Sequence, residues 1–139
     1  MGAVESTEGS TATGSITNTK SLLSLCKFTF TNTNGGNPVN VKSVEIGWGE
    51  NGAVGYPQTG TVSLANSASV SAEAGDPSGP LTVTLDEPNA EGVVYVALFP
   101  CDKKLAFHFT VSDGTNTYTA TKNAKMLEGK YYEVPVAVN

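Results

Sequence analysis

Between Lys104 and Val111 the chain alternates strictly: Leu105, Phe107, Phe109 and Val111 fall on one side, Lys104, Ala106, His108 and Thr110 on the other. A period of two is the mark of a strand half buried against a core, because a helix would scatter those four apolar side chains around its circumference. Asp113-Gly114 follows at once and supplies residues tolerant of positive φ for a hairpin turn, after which Tyr118 and Ala120 resume the inward pattern on a returning strand. Upstream, Val93 to Phe99 is an unbroken apolar run bounded by Gly92 and Pro100, which predicts a short strand buried on both faces. Downstream of Gly129, the residues Tyr132, Val134, Val136 and Val138 share one face of a closing strand. The stretch from Gly92 to Asn139 therefore reads as four strands joined by tight turns.

The earlier part of the chain follows the same grammar. SLLSLCKFTFTNT places Leu22, Cys26, Phe28 and Phe30 on one face and Leu23, Leu25, Lys27, Thr29 and Thr31 on the other, an opening strand that is apolar on both sides at its start. Asn34-Gly35-Gly36-Asn37-Pro38 is a turn. In VNVKSVEIGW the apolar set changes face, from Val39 and Val41 to Val44, Ile46 and Trp48, which predicts a bulge or a crossing between sheets near Lys42-Ser43. GWGENGAVGYPQTG is a glycine-rich loop. Short strands are expected at Thr61 to Leu64, Ser67 to Glu73 and Leu81 to Leu85, separated by GDPSGP and followed by a DEPNAEG turn. Met126-Leu127 lies in a polar link with room for one helical turn. Eight or nine strands without helical periodicity predict an all-β fold, a two-sheet β-sandwich of immunoglobulin-like type.

At 139 residues the chain suits one domain with a real core. Residues 1–20 are small and polar, with Val4 and Ile16 as their sizeable apolar groups, and read as a flexible amino-terminal tail or linker unless Ile16 docks as an edge strand. The β-sandwich domain is placed at 21–139. Net charge is −5 and all eight basic residues are lysines. The acidic balance and the lack of the two-pronged guanidinium oppose nucleic acid as a partner. No apolar run is long enough for a membrane-spanning helix. Met1-Gly2 opens no charged and apolar leader, which leaves a cytoplasmic chain or an exported one whose leader is absent; the Thr/Ser/Asn/Gly-rich, charge-poor composition favours export.

The search for chemistry is short. His108 is the single histidine and sits on the polar face of its strand, so the His-rich zinc and serine-histidine arrangements have no second member. No GxSxG elbow is present, and GWGENG lacks the GK[ST] ending and following helix of a phosphate loop. Asp86-Glu87 and Asp102 read as solvated turn residues. No catalytic, metal or cofactor-binding residue is assigned, and no enzyme is expected. Two weaker candidates stand. Trp48 and Tyr56 flank the glycine-rich loop and form either an aromatic platform for a sugar or part of the core. Cys26 and Cys101 are an even pair, which permits a disulfide without requiring one.

Four segments carry a resemblance to a known family: LCKFTFTNT, NPVNVKSVEIGW with its run into the glycine-rich loop, LAFHFTVSDGTNTYTATK, and MLEGKYYEVPVAVN. In this order, over residues 21–139, the chain resembles the fimbrillins, fimbrial subunits and fimbrillin-like surface lipoproteins of anaerobic bacteria. The closing segment, L-x-x-G-K-Y-Y before an alternating valine strand, is similar to the end of a fimbrillin amino-terminal domain. The resemblance implies a transthyretin-like sandwich, exported to the outer-membrane surface, that joins a homo- or heteropolymeric fimbrium by β-strand exchange and contacts surface receptors or glycans. It also implies a second domain beyond Asn139, so that residues 21–139 would be the first domain of a longer protein. The best-known family members are cleaved after arginine, which this chain lacks; Lys20 could serve a lysine-directed protease instead. The alternative function is a carbohydrate-binding module of a surface lipoprotein, with Trp48 and Tyr56 as its contacts.

Overall fold

The structure is a computed structural model that describes residues 3–6, 12–15, 22–49, 55–57, 60–63, 69–72 and 79–139. Among these are eleven strands: β1 (Ala3–Ser6), β2 (Ala12–Ser15), β3 (Ser24–Asn32), β4 (Val41–Gly49), β5 (Gly60–Ser63), β6 (Ser69–Ala72), β7 (Leu81–Asn89), β8 (Val93–Leu98), β9 (Cys101–Ser112), β10 (Thr117–Met126) and β11 (Tyr131–Val138). The fold is an all-β sandwich of two sheets. One has the order β10-β9-β4-β7 and the other β11-β3-β8, with β1-β2 and β5-β6 as separate two-stranded ladders.

The alternation read at Lys104 to Val111 becomes the long β9, whose Phe107, Phe109 and Val111 are buried while Leu105 packs at the core's margin. Its antiparallel partner β10 returns in the anticipated register, Tyr118 opposite Val111 and Ala120 opposite Phe109. The loop between them has four residues, Asp113 to Asn116, with Gly114 at φ +94. Phe28 and Phe30 enter from β3 and meet Phe109 edge-on, with ring centroids 4.9 and 5.5 Å apart, an arrangement favoured by the ring quadrupoles. These three rings join the sheets. Ile46, Val94 and Val136 complete the buried centre, and Val134 packs against it half buried.

The face switch at Lys42-Ser43 is a bulge. Val41 opposes Asn89 but Ser43 opposes Thr84, so Leu85 to Pro88 stand against Lys42 alone. Both Val41 and Val44 thereby reach the core. The Lys42 ammonium donates to the carbonyl oxygens of Leu85 and Asp86, at 2.8 and 2.9 Å, which satisfies two groups that the bulge takes out of the ladder.

Several expectations change. Val93 to Leu98 is not buried on both faces: Val94, Val96 and Leu98 point inward, while Tyr95 is 59% exposed and Ala97 faces solvent. β8 ends its sheet, and no layer covers its outer face among the described residues, so the outward half of the run stays exposed although it is apolar. Asp86-Glu87-Pro88, read as a turn, continues β7 through its bulge. Met126 belongs to β10 and is buried, and no helical turn forms there. In the amino-terminal segment, read as a tail, Ala3 pairs with Ser15 and Ser6 with Ala12 in an antiparallel ladder; Ile16 lies outside the described residues.

Candidate functional site

The two edges of the three-stranded sheet differ in a way that backbone geometry fixes. Leu25 N–H donates to Lys130 at 3.0 Å, so odd-numbered residues of β3 direct their amides to the parallel strand β11. Phe30 N–H donates to Gly92 at 2.8 Å, so even-numbered residues face β8. By the alternation of an antiparallel ladder, Val94, Val96 and Leu98 use their amides and carbonyls on β3, and Val93, Tyr95 and Ala97 turn theirs outward. The N–H of Val93 is taken by Asn89 Oδ1 at 3.2 Å, and the next outward amide, Phe99, donates to the Tyr56 hydroxyl at 2.7 Å. Between those two anchors, Tyr95 and Ala97 present backbone donors and acceptors to which no described strand is paired.

Among the described residues, this edge lacks two of the usual protections. VVYVAL has no charge and no proline. The opposite edge, β11, is blunted on both counts. Pro135 cannot donate an outward N–H, the Lys122 ammonium binds the Pro135 carbonyl, and Asn139 exchanges two backbone hydrogen bonds with Thr119 of β10 at 3.0 and 3.2 Å. Across the sandwich from β8 runs β7, with Leu81, Val83 and Leu85 only half buried against the core. The open backbone of β8 and the half-covered apolar row of β7 therefore border the same side of the sandwich, where the Asn89 to Gly92 turn joins the two strands.

On the outer face of that sheet, Tyr131, Leu25 and Ala97 form one cross-strand row and Glu133, Lys27 and Tyr95 the next. Tyr131 is 51% and Leu25 46% exposed, and Lys27 pairs with Glu133 at 3.7 Å. Tyr131 donates to Glu133 at 3.2 Å. Burial foremost, then the Glu133 carboxylate, holds the Tyr131 phenol above its ordinary pKa. A shallow recess lined by Lys27, Thr29, Glu133, Val134 and Pro135 lies beside this face.

The residues singled out from sequence are placed as follows. Trp48 and Tyr56 do come together, with ring centroids 4.9 Å apart, but they pack inward: Trp48 meets Phe107 at 5.7 Å, and Tyr56 is 3% exposed and lies over Phe99. Burial pushes the Tyr56 phenol far above its usual range. The pair offers no open platform for a sugar ring. His108 is half buried, with Nδ1 3.1 Å from Thr121 Oγ1 and Nε2 buried without a hydrogen-bond partner among the described residues.

Cys26 and Cys101 are thiols, both buried and not joined as a disulfide. The Cys26 thiol donates to Met126 Sδ at 3.5 Å, and Met126 N–H donates to Cys101 Sγ at 3.3 Å. Burial, reinforced by the neighbouring Cys101, pushes the Cys26 thiol up to about 11. Met126 was missed as their common neighbour because a bulge between the Leu105 and Cys101 registers brings it opposite Cys101. Among the described residues, no three His, Cys, Asp or Glu side chains cluster as metal ligands. Compared with known protein families, curated proteins and solved structures, the chain matches none.

Proposed function

We propose that the protein is a non-enzymatic structural or adhesive subunit of a bacterial surface fimbria, assembled when an incoming strand completes the β8 edge. The observation that carries the reading is that edge itself: outward backbone groups at Tyr95 and Ala97, an uncharged strand, and the half-covered row of Leu81, Val83 and Leu85 beside it. A strand laid along β8 gains main-chain hydrogen bonds on one side and apolar burial on the other, which is how strand addition obtains affinity and register. The resemblance of residues 21–139 to fimbrillins supplies the class of partner, another fimbrial subunit, and the exported location.

The test is digestion with a lysine-specific protease, which releases residues 1–20 at Lys20, followed by size-exclusion with the neighbouring subunit's strand-donating segment. Association after processing that Ala97→Pro abolishes is the expected result, since proline removes an outward N–H to which no described strand is paired. A processed chain that stays monomeric, or that associates equally well with proline at 97, overturns the reading. The carbohydrate-binding alternative shifts from Trp48 and Tyr56 to the exposed tyrosines Tyr95 and Tyr131. Glycan binding that Tyr95→Ala and Tyr131→Ala remove, with no strand addition, would favour it.

A further inference from the structure

We propose that Asn34 is a site of self-modification, at which its side chain closes on the Gly35 amide to a succinimide that water opens to aspartate or isoaspartate. The inference does not depend on strand addition at β8. Such a closure needs a side-chain amide free to turn, a following N–H that no acceptor holds, and no side chain shielding that nitrogen. The turn from β3 to β4 meets all three. Asn34 and Gly35 are exposed at its tip, and among the described residues neither the Asn34 side chain nor the Gly35 N–H enters a hydrogen bond. Gly35 has no Cβ to stand in the way, and at φ +101 it adopts a conformation that other residues resist.

The turn is held on either side of this uncommitted link. Asn34 N–H donates to Asn32 Oδ1 at 2.8 Å, Gly36 N–H to the Asn32 carbonyl at 2.9 Å, and Thr33 N–H to the Val138 carbonyl at 2.9 Å. Other asparagines lack one requirement or another. Asn32 uses its Oδ1 on Asn34 and is followed by β-branched Thr33. Asn37 precedes Pro38, which has no N–H to attack, and Asn40 precedes branched, buried Val41. Asn89 Oδ1 accepts the Glu91 and Val93 amides, and the Asn116 side chain donates to Asp113. Asn51-Gly52 lies outside the described residues.

The chemistry balances without an oxidant or a cofactor. The Gly35 nitrogen attacks Asn34 Cγ, an N–Cγ bond forms, the Cγ–Nδ2 bond breaks, and ammonia leaves with the proton from Gly35. Water then opens the ring. Cleavage at Cγ restores the original backbone as aspartate, whereas cleavage at the main-chain carbonyl leaves isoaspartate, whose backbone has gained the Cβ methylene. Either product adds one negative charge to a chain that already carries −5. Isoaspartate also lengthens the loop that the Gly36–Asn32 hydrogen bond closes, so this end of β3 loosens while the core beneath it is untouched.

The experiment incubates the full chain at neutral and at mildly alkaline pH and then digests it with a lysine-specific protease. The peptide 28–42 carries Asn32, Asn34, Asn37 and Asn40, and Asn51 falls on a different peptide. Tandem mass spectrometry locates the mass gain of an amide-to-acid change, and an isoaspartyl methyltransferase labels the isoaspartate. Conversion is expected at Asn34, faster in alkali because the attacking amide must lose its proton, and severalfold slower in Gly35→Ala. The isoaspartyl chain should show accelerated amide exchange at Thr33 and Gly36. An intact Asn34 under conditions that convert the free 28–42 peptide, or conversion of Asn32 or Asn40 as fast as Asn34, would each overturn the proposal whether or not Gly35→Ala folds. So would an undiminished rate in that variant.

Discussion

The amide of Phe30 donates to the carbonyl of Gly92 at 2.8 Å, and the same Phe30 carbonyl would lie 2.4 Å from a Cβ built on Gly92. The close pairing of these two residues thus both orients β8 on β3 and leaves no room for a side chain at the turn that feeds it. Gly92 also holds φ +74, which an L-residue adopts only at a cost.

Gly92→Ala is therefore expected to destabilise the fold by about 2–3 kcal/mol, combining left-handed strain with a backbone clash that no rotamer relieves. Gly36→Ala, at φ +69 but with open space around its Cβ, should cost about 1 kcal/mol. Urea unfolding of the two variants separates clash from strain. Equal losses would show that the Phe30 contact contributes nothing.

The end of β3 is pinned by a buried hydroxyl. Ser24 is fully buried and donates to the Leu127 carbonyl at 2.6 Å, tying the strand to the link between β10 and β11. Ser24→Ala leaves that carbonyl without its donor and should cost about 1–2 kcal/mol in chemical denaturation. A change below a few tenths would mean that the link does not depend on this bond.

Tyr56 plays a comparable part for the opposite strand. Its hydroxyl accepts the Phe99 N–H at 2.7 Å from within the core. Tyr56→Phe keeps the ring contact with Trp48 but orphans that amide, and a loss of about 1–2 kcal/mol is expected with Trp48 emission nearly unchanged. A large emission shift would instead indicate repacking of the aromatic cluster.

The β9-β10 hairpin carries a pH dependence of definite sign. Asp113 Oδ1 accepts the Asn116 and Thr115 amides at 2.6 and 2.8 Å, with the Asn116 and Tyr118 side chains adding to them, and these bonds lower its carboxyl from 3.8 to about 2. A folded-state value below the unfolded one contributes stability above about pH 4 that is lost as pH falls toward 2. The wild type should therefore lose stability more steeply over that interval than Asp113→Asn. Parallel pH profiles would remove the hydrogen-bonded carboxylate from the account.

How far the sequence revealed this molecule can be judged from particular residues. Strict alternation exposed β9, β10 and β11, and the change of face at Lys42-Ser43 exposed the β4 bulge, because a half-buried strand writes its burial into every second residue. Tyr95 escaped the same logic. An apolar run looks identical whether a second layer covers it or it ends a sheet, and only strand order distinguishes the two. Met126 escaped because the register shift on β9 leaves no local signature, and the open edge of β8 is a property of pairing that no single segment encodes. Trp48 was correctly aligned with Val44 and Ile46, but whether Tyr56 flanked or filled the core depended on backbone contacts, Trp48 N–H to Gly55 and Tyr56 N–H to Gly79, that hold Tyr56 against the core.

The most direct test of the open edge is amide hydrogen exchange at Tyr95 and Ala97, measured in the isolated chain and in the assembled polymer. The account predicts rapid exchange at both amides in the monomer, slow exchange at Val94 and Val96, and strong protection of Tyr95 and Ala97 on assembly. Protection of those two amides in the monomer, or their continued rapid exchange in the polymer, would contradict it.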